Sequence, residues 1–563
     1  MPNHAPALPA DHAASYVQAP LKLNNEADIN WHDNADVLVV GYGAAGVCAA
    51  IEAADNGASV LSLDRFEGGG ATMLSGGIVY GGATPYQKAA GIEDSPEEMY
   101  KYLRYEIGDV VREETLRRFC DESAANFEWL CSHGMAFGSR FFTEKRSYPP
   151  PNHDLYYSGN EAAPSFAGVA KSAARGHRVM SDDGYSGKDF FEYLDSAAKK
   201  RGVRLRRHTT VTRLIIDADD RVIGVEVKAI PPESQAHQEH AKLIQRVNKW
   251  ERFLENTWAK TAAKARKLEQ EYGETLYIKA NKAVTLTTGS FSFNRDMLKH
   301  YAPRYHDGLS LGTLGCDGSG ILLGQGAGAD IGYMDSVTSW RSISPSESFV
   351  KAIVVNTEGK RFISEDVYLG HLGRAIVQQK DKKAWLIIDS TTYWNAYKDI
   401  IPTFGQEGYL EFKGPLLVNL LFNSTRGSTL TKLAKKIGVD PEGLSKQLAE
   451  YHNDVKAGAD RLQKKPANCG IIREGTYYAI DISVSNRLCM CPIIPMGGLR
   501  VNEDSGQVLR ADNTGINGLY AAGRAAVGIP SGFYVSGSSL ADCVFSGRRA
   551  GENAAKTADD KPA

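Results

Sequence analysis

The pattern of apolar and polar positions is clearest between residues 35 and 64. Ala35 and positions 37–40 form a nearly continuous apolar run, which is typical of a parallel strand buried on both faces. A glycine turn follows, and then an alanine-rich stretch over about residues 44–56 predicts a helix. Residues 59–63 predict a second strand, which ends at Asp64. This order favours a dinucleotide-binding unit over a glycine-rich structural turn.

The glycine turn has the G-x-G-x-x-G spacing that such a unit requires. Gly41 permits the tight turn, Gly43 lets backbone amides approach a pyrophosphate, and Gly46 lets the helix pack close to the strand. The helix points its positive N-terminal end at the same pyrophosphate. Asp64 is placed to accept a hydrogen bond from a ribose hydroxyl. The contacts predicted around the turn are Gly41, Gly43, Ala44, Ala45 and Gly46.

Composition narrows the possible functions of the 563-residue chain. This length predicts two or more domains, and the net charge of −2 gives no reason to expect nucleic acid. The eight cysteines form no C-x-x-C motif, so neither an iron–sulfur cluster nor attached haem is indicated, and no metal site is predicted. The polar N-terminus, residues 1–34, does not resemble a signal peptide, and no apolar segment is long enough to span a membrane. A cytoplasmic protein is expected.

The segment 234–272 has a pattern of its own. It is rich in Lys, Arg, Glu and Gln and predicts helix, with one apolar stripe made by Leu243, Val247, Trp250, Leu254 and Trp258. A helical hairpin packed on the body of the protein is the preferred interpretation. The alternative is an interfacial helix, because the tryptophans have basic neighbours that suit a membrane surface or a partner.

A second glycine-rich stretch, residues 65–77, follows Asp64 directly. With this stretch the chain resembles the flavoprotein family that includes fumarate reductases and 3-ketosteroid dehydrogenases. The resemblance implies FAD rather than NAD, wrapped by Arg65, Gly70, Ala71, Thr72, Ser75, Gly76 and Gly77. It also implies cofactor contacts at Val211, Thr288, Gly289, Gly523, Arg524, Ser538, Ser539 and Leu540. Residues 78–89, 155–161 and 174–177 narrow the resemblance to the ketosteroid branch.

The same resemblance implies the architecture. We expect an α/β, Rossmann-like FAD-binding domain, with a parallel sheet and helices, that carries an inserted α+β catalytic or cap domain of the fumarate reductase flavoprotein type. The expected segments are an N-terminal extension (1–34), the first part of the FAD-binding domain with the helical insertion 234–272 (35–319), the cap (320–484) and the second part of the FAD-binding domain (485–563).

Two positions indicate the branch of the family. Leu369 stands where fumarate reductases carry a proton-donating arginine, and Tyr534 stands where dicarboxylate reductases clamp a carboxylate. Tyr368, Tyr534 and Ser536 resemble the catalytic set of the 3-ketosteroid Δ4-(5α)-dehydrogenases. Tyr368 is assigned as the base, and Tyr534 with the backbone of Gly537 as the donor to the substrate ketone. The two tyrosine roles are open to exchange.

Three alternatives stay open. A 3-ketosteroid Δ1-dehydrogenase would share the chemistry. The pattern of that group includes a further tyrosine early in the cap-facing region, where this chain has only Phe119 nearby. A fumarate reductase-like reductase of unsaturated acids would need an arginine such as Arg341 or Arg178. A protein that acts mainly in electron transfer or binding would use the 234–272 insertion to contact its partner. A peripheral membrane contact through the same insertion is a further alternative. The expected partners are a neutral steroid and an electron acceptor that the sequence does not identify.

Overall fold

The computed structural model of the protein describes residues 8, 11–144, 148–150, 152–181, 186–343, 347–400 and 414–557. The first strands are β1 (Leu21–Lys22), β2 (Asp33–Val40), β3 (Val60–Leu63), β4 (Ile78–Tyr80), β5 (Phe141–Phe142), β6 (Leu155–Tyr156), β7 (Gly176–Arg178), β8 (Arg204–Arg206), β9 (Thr209–Ile216), β10 (Val222–Ala229) and β11 (Glu274–Leu286). The later strands are β12 (Leu309–Ser310), β13 (Ile331–Gly332), β14 (Val337–Ser339), β15 (Ile353–Val355), β16 (Trp385–Asp389), β17 (Ser424–Gly427), β18 (Tyr477–Asp481), β19 (Pro492–Pro495), β20 (Gly498–Leu499), β21 (Gln507–Leu509) and β22 (Gly515–Ala521).

The α-helices alternate with these strands along the chain. They are α1 (Ala44–Asp55), α2 (Pro85–Ala89), α3 (Pro96–Ile107), α4 (Glu113–Asp121), α5 (Ser123–Ser132), α6 (Gly187–Lys200), α7 (Gln235–Lys249), α8 (Glu255–Tyr272), α9 (Arg295–Tyr301), α10 (Ser319–Gly326), α11 (Leu369–Gln378), α12 (Ser390–Ile400), α13 (Gly414–Phe422), α14 (Leu430–Ile437), α15 (Pro441–Ala457) and α16 (Ser538–Lys556).

The largest sheet has a parallel centre that begins with the apolar run at residue 37. Strands β11, β2, β3 and β8 pair in parallel, in that order, and β22 pairs in parallel with the end of β11. On the other side, β10 pairs antiparallel with both β11 and β9. Val37 and Val39 pack into one apolar cluster, whereas Leu38 and Val40 pack into another on the opposite face. The prediction of a strand buried on both faces is therefore confirmed.

Helices α1 and α16 lie together on one face of this sheet. Their backbones approach closely because glycine occurs at the contact: a Cβ on Gly547 would lie 2.6 Å from the Ala45 carbonyl oxygen, and one on Gly551 would lie 2.1 Å from that of Ala49. This packing joins the third and fourth turns of α16 to the first two turns of α1, so the two helices run in the same direction.

A second α/β region surrounds a smaller sheet. Strands β15, β16, β18 and β17 pair antiparallel in that order, and helices α11, α14 and α15 contribute buried residues to the apolar clusters on this sheet. The fold is thus the α/β flavoprotein type, a Rossmann-like domain with an inserted α+β region. The domain limits at residues 34, 319 and 484 stay predictions, and parts of 1–34 and 485–563 lie outside the described residues.

The insertion 234–272 forms the helical hairpin α7–α8, packed on the body of the protein. Leu243, Val247 and Trp258 are buried against Phe66 and neighbouring apolar residues, as the stripe predicts. The prediction of one continuous apolar stripe is wrong at the hairpin tip, where Trp250 and Leu254 are exposed. They leave the stripe because the chain is not α-helical between α7 and α8. In the part of the chain that the structure describes, no helix combines the length and hydrophobicity needed to cross a membrane.

Candidate active site

A cleft opens at the carboxyl ends of the parallel strands β2, β3 and β11. Ligands of open α/β sheets bind at this edge. Counting its solvent-open mouth, the cleft encloses ≈ 870 Å³. Of the predicted cofactor contacts, those that line it are Gly41, Gly43, Ala44, Ala45, Asp64, Arg65, Gly70, Ala71, Thr72, Val211, Thr288, Gly289 and Arg524.

The glycine turn has the geometry that a pyrophosphate requires. Gly41 has a φ of 94°, and a Cβ there would lie 2.8 Å from the Thr287 carbonyl oxygen. At Gly43 a Cβ would meet nothing closer than 3.7 Å, so this side of the turn is open to the cleft. Helix α1 has no side-chain N-cap and no acidic residue in its first turn, which leaves its positive end available to an anion.

Gly46 does not line the cleft, and its role is the predicted one of close packing. A Cβ on Gly46 would lie 2.1 Å from the Gly41 carbonyl oxygen, closer than any real contact. Only glycine at this position lets α1 lie against the turn. The third glycine therefore sets the position of the helix N-terminus.

Asp64 and Arg65 both line the cleft, but other groups of the protein also use their side chains. The Asp64 carboxylate accepts hydrogen bonds from the backbone amides of Tyr42 and Phe66, each at 2.8 Å. Burial raises the pKa of this carboxyl, and these amides oppose the rise. The Arg65 guanidinium donates from Nε to Glu269 at 2.9 Å and from Nη1 to Asp317 at 2.7 Å. Arg65 is thus tied to helix α8 of the hairpin.

The remaining predicted cofactor contacts lie outside the cleft lining. Ser75 donates from Oγ to the Thr72 carbonyl, and the carbonyl of Gly76 accepts from Tyr148 at 2.7 Å. Gly523 lies against Ala45 at the start of α1. Their flavin contacts stay predictions, as do those of Gly77, Ser538, Ser539 and Leu540.

Helix α16 begins with a second N-terminus that has no side-chain cap. Its N-cap is Gly537, with a φ of 91°, and its first turn contains no acidic residue. The Ser538 hydroxyl is buried without a hydrogen-bond partner in the structure. A buried, unpartnered hydroxyl at an uncapped helix end fits a polar ligand edge.

Several lining residues were not predicted from the sequence. They come from the N-terminal segment, from the loop after β3, from the start of β9 and from the chain between β11 and the first residue of α10, and they include Tyr16, Phe66, Thr209, Thr210, Thr287, Thr313, Cys316 and Ser319. The G-x-G-x-x-G motif gives no information about these positions, because they reach the cleft only through the tertiary fold.

The predicted catalytic tyrosines come together beside this cleft. Tyr534 is buried, its ring lies 5.3 Å from that of Trp340, and its hydroxyl accepts a 3.4 Å hydrogen bond from the Gly537 amide. Tyr368 is buried, and its hydroxyl has no hydrogen-bond partner in the structure. The phenols of Tyr534 and Tyr156 are close enough to raise the pKa of Tyr368.

Tyr156 is a third buried phenol that the catalytic prediction missed. Its hydroxyl lies 3.3 Å from Oγ of Ser536, so the predicted serine connects Tyr156 to the cluster. The stretch 155–161 carried the signal, because it was among the motifs of the ketosteroid branch. Its individual residues gave no indication of which one enters the site. We call Tyr156, Trp340, Tyr368, Tyr534 and Ser536 the phenol cluster.

Contacts with distant segments hold Tyr368 in place. Its backbone amide donates to Oδ1 of Asn160 at 2.5 Å, and the residue forms the N-cap of α11. Upstream, Arg361 donates to Glu365 at 2.7 Å and to Asp460 at 2.6 Å, with all three side chains buried. This ion network fixes the loop that leads into Tyr368.

The electrostatics of the two predicted catalytic phenols differ. Burial raises the pKa of Tyr368 well above its usual range, and an interaction with Trp340 opposes the rise. Burial also raises the pKa of Tyr534, whereas the Gly537 amide and the positive charge of Arg524 lower it. Arg524 lines the cleft, so the cluster and the cleft share one electrostatic environment.

The arginine candidates for a carboxylate clamp are occupied by protein groups. The guanidinium of Arg341 is buried and donates to the carbonyl oxygens of Cys489 at 2.5 Å and Ser483 at 2.9 Å. Arg178 lies 3.7 Å from the Asp154 carboxylate. Arg341 therefore does not offer the fork that a dicarboxylate requires, and Arg178 faces a carboxylate of the protein.

The cleft, its glycine turn and the N-terminus of α1 that points at it together indicate a dinucleotide-binding protein. Residues 36–540 match the family model described as an FAD binding domain. The chain belongs to this FAD-binding family, and FAD is its cofactor.

The chain is similar to individual members of this family over most of its length. It is 35% identical to a 3-oxo-5-alpha-steroid 4-dehydrogenase of Comamonas testosteroni, over 89% of this chain and 95% of that protein. It is 26% identical to a fumarate reductase (cytochrome) of Shewanella frigidimarina, over 93% of this chain and 78% of that protein. The crystal structure of a 3-ketosteroid-Δ4-(5α)-dehydrogenase from Rhodococcus jostii RHA1, in complex with 4-androstene-3,17-dione, superposes with a TM-score of 0.79 at 31% identity, covering 96% of this chain and 100% of that one.

Proposed function

We propose that the protein is an FAD-dependent dehydrogenase of a neutral 3-ketosteroid, and that it introduces the Δ4 double bond. The observation that carries the proposal is the phenol cluster: buried hydroxyls stand beside the FAD cleft, and the two arginines considered for a carboxylate clamp, Arg341 and Arg178, face oxygen atoms of the protein. The steroid names of the relatives support the same substrate class.

The cluster contains the groups that desaturation of a ketone needs. When bound, FAD supplies the N5 atom that accepts the β-hydride. The Tyr534 hydroxyl and the Gly537 amide are 3.4 Å apart, so a substrate carbonyl oxygen to one side of the pair could lie within hydrogen-bond distance of both and accept from both. Removing one such donor typically slows an enzyme by a factor of ~10²–10³.

The Tyr368 hydroxyl is the proposed acceptor of the α-proton, since it is buried in the cluster and the side chain that lowers its pKa there is the indole of Trp340, which does not compete for the proton. Ser536, 3.3 Å from Tyr156, is placed to relay that proton. The indole of Trp340 lies beside Tyr534 and opposes the rise in the Tyr368 pKa, so it favours the ionised base.

The test is anaerobic mixing of the yellow protein with three compounds: a saturated 3-ketosteroid, the same steroid without the 3-keto group, and succinate. Flavin bleaching by the ketosteroid alone, with a Δ4 product, is the expected result. A Δ1 product would favour the Δ1-dehydrogenase alternative. Bleaching by succinate would favour the reductase of unsaturated acids.

We also propose that the tip of the α7–α8 hairpin contacts an anionic lipid surface. Trp250, Phe253 and Leu254 are exposed there, beside the basic residues Lys249 and Arg252. Aromatic and apolar side chains flanked by cations suit the interface of an anionic bilayer.

A vesicle assay tests the lipid contact. The double variant Trp250→Ser/Leu254→Ser should lose sedimentation with vesicles that contain phosphatidylglycerol and keep its bound flavin. Tyr105→Ser, which replaces an exposed aromatic outside the hairpin, is the matched control and should sediment like the wild type. Equal sedimentation of the hairpin variant and the wild type would contradict the contact.

A further inference from the structure

A chain of four ionisable side chains runs from the protein surface to the wall of the FAD cleft. Glu67 Oε1 lies 2.9 Å from His208 Nε2, His208 Nδ1 lies 2.8 Å from His240 Nδ1, and His240 Nε2 lies 2.9 Å from Glu269 Oε1. Both imidazoles are buried, Glu269 is nearly so, and Glu67 is half-exposed. The hairpin supplies His240 and Glu269, so the chain joins the insertion to the FAD-binding sheet.

The protons in this chain can be counted. Each of its three contacts needs one N–H, because an ionised carboxylate and an unprotonated ring nitrogen are acceptors only. Two neutral imidazoles supply two N–H groups. The three distances therefore require one additional proton.

Electrostatics place that proton between the two helices of the hairpin. Burial and the positive charge of His240 lower the pKa of His208 to about 4, so His208 is neutral. Burial alone would raise the pKa of the Glu269 carboxyl, but Arg65 and His240 outweigh it and lower this pKa, so Glu269 is ionised. His240 then carries both N–H groups and donates to His208 and to Glu269.

The chain ends on a residue of the cleft. Glu269 Oε1, which accepts from His240, also accepts from Arg65 Nε at 2.9 Å. Arg65 Nη1 donates to Asp317 at 2.7 Å and lies 3.2 Å from the Tyr16 hydroxyl. Arg65 and Tyr16 both line the FAD cleft. The position of the Glu269 carboxylate therefore affects the position of side chains in the cleft wall.

We propose that the excess proton held by Glu67, His208, His240 and Glu269 makes the hairpin a proton-dependent clamp on FAD, with Glu269 as the residue that positions Arg65. The other titratable or charged groups that face the chain are His237, whose ring lies 4.0 Å from that of His208, Arg207, 3.8 Å from Glu67 Oε2, and the Asp317 and Tyr16 partners of Arg65.

The direction of the pH dependence follows from the count. At lower pH the chain holds its proton and the clamp is intact. As pH rises and the proton leaves, two N–H groups remain for three contacts, so at one of the contacts lone pairs face each other and repel, which weakens the link between the hairpin and the sheet. FAD affinity therefore falls with rising pH, by about tenfold if one charge-assisted hydrogen bond is lost.

The experiment measures FAD release from the holoprotein on dilution, followed by the recovery of flavin fluorescence between about pH 6 and pH 10, a range that starts near the ordinary histidine value of ~6.5. No steroid is present, so the result does not depend on the proposed substrate. The wild type should bind FAD about tenfold more weakly at the alkaline end. An FAD dissociation constant that does not change with pH would overturn the proposal.

Two variants and a matched control sharpen the test. His240→Gln should bind FAD weakly and without the pH dependence. Glu67→Gln removes only a half-exposed charge that stabilises the proton, so it should fold and move the midpoint of FAD release to lower pH. Glu239→Gln replaces an exposed carboxylate of the same helix and should leave the midpoint unchanged. A wild-type midpoint in Glu67→Gln, or a wild-type pH dependence in His240→Gln, would contradict the clamp.

Discussion

The FAD cleft and the phenol cluster are neighbours that are built in opposite ways. The cleft is mainly backbone: a glycine turn, the uncapped N-terminus of α1 and strand termini, with most predicted contacts between residues 41 and 72. The cluster is made of side chains from distant segments. Tyr156 and Ser536 meet across 380 positions, and Tyr368 is held by Asn160 across 208. Binding FAD therefore depends on local geometry, whereas choosing a substrate depends on the whole fold.

The largest expected effect is a loss of folding stability when the buried ion network that holds the phenol cluster is broken. Arg361→Met leaves the buried Asp460 carboxylate without its ion partner and leaves Glu365 with Lys464 alone, which costs about 3–5 kcal/mol. Denaturant unfolding of the holoprotein measures this loss. Arg461→Met removes an exposed ion pair with Asp454 in the same region and should unfold like the wild type. Equal stability of the Arg361 and Arg461 variants would contradict the role given to the buried network.

A change in the cleft should act on FAD instead. In Gly46→Ala the new Cβ would lie 2.1 Å from the Gly41 carbonyl oxygen, so α1 must move away from the turn. Overpacking of this kind costs about 1–3 kcal/mol, which predicts FAD binding that is weaker by about tenfold or more. Gly168→Ala adds the same methyl group where nothing lies within 4 Å and is the control. FAD content after gel filtration distinguishes them, and full retention in Gly46→Ala would be the contrary result.

The pH dependence of flavin reduction should come from the phenol cluster, through the ionisation of Tyr368. Burial and the neighbouring phenols Tyr534 and Tyr156 raise the pKa of Tyr368 well above its usual range. Only the ionised phenol accepts a proton, so the rate of flavin reduction should rise about tenfold per pH unit without levelling below about pH 10. Tyr368→Phe should abolish this slope, and Tyr534→Phe should keep it. The reverse pattern would exchange the two tyrosine roles.

The smallest effect is expected at the relay. Ser536→Ala removes the hydroxyl that lies 3.3 Å from Tyr156 and leaves all three phenols of the cluster in place. The loss of one neutral hydrogen bond is worth about 0.5–1.5 kcal/mol, which is a two- to tenfold slower reduction of the flavin. A loss as large as that of a tyrosine variant would mean that Ser536 itself contacts the reacting atoms.

The comparison also explains which features could be predicted from the sequence. The βαβ unit and its glycines were predictable because each role depends on neighbours within a few residues, as at Gly41 and Gly46. Tyr368 and Tyr534 were found through family resemblance, since no periodicity marks a catalytic phenol. Trp340 and the link between Arg65 and Glu269 were missed, because only the folded chain brings those residues together. The exposed tip of the hairpin was missed because a helical stripe was extended across a turn.

The most direct test of the account is the rate of flavin reduction by a saturated 3-ketosteroid in a rapid-mixing experiment. Wild type, Tyr368→Phe and Tyr534→Phe are compared at equal flavin content, because neither hydroxyl is assigned to FAD binding. Each phenylalanine keeps the packing of its ring and removes one hydroxyl. The account predicts reduction slower by a factor of about 10²–10⁴ in both variants. Near wild-type reduction in both would contradict the proposed role of the phenol cluster.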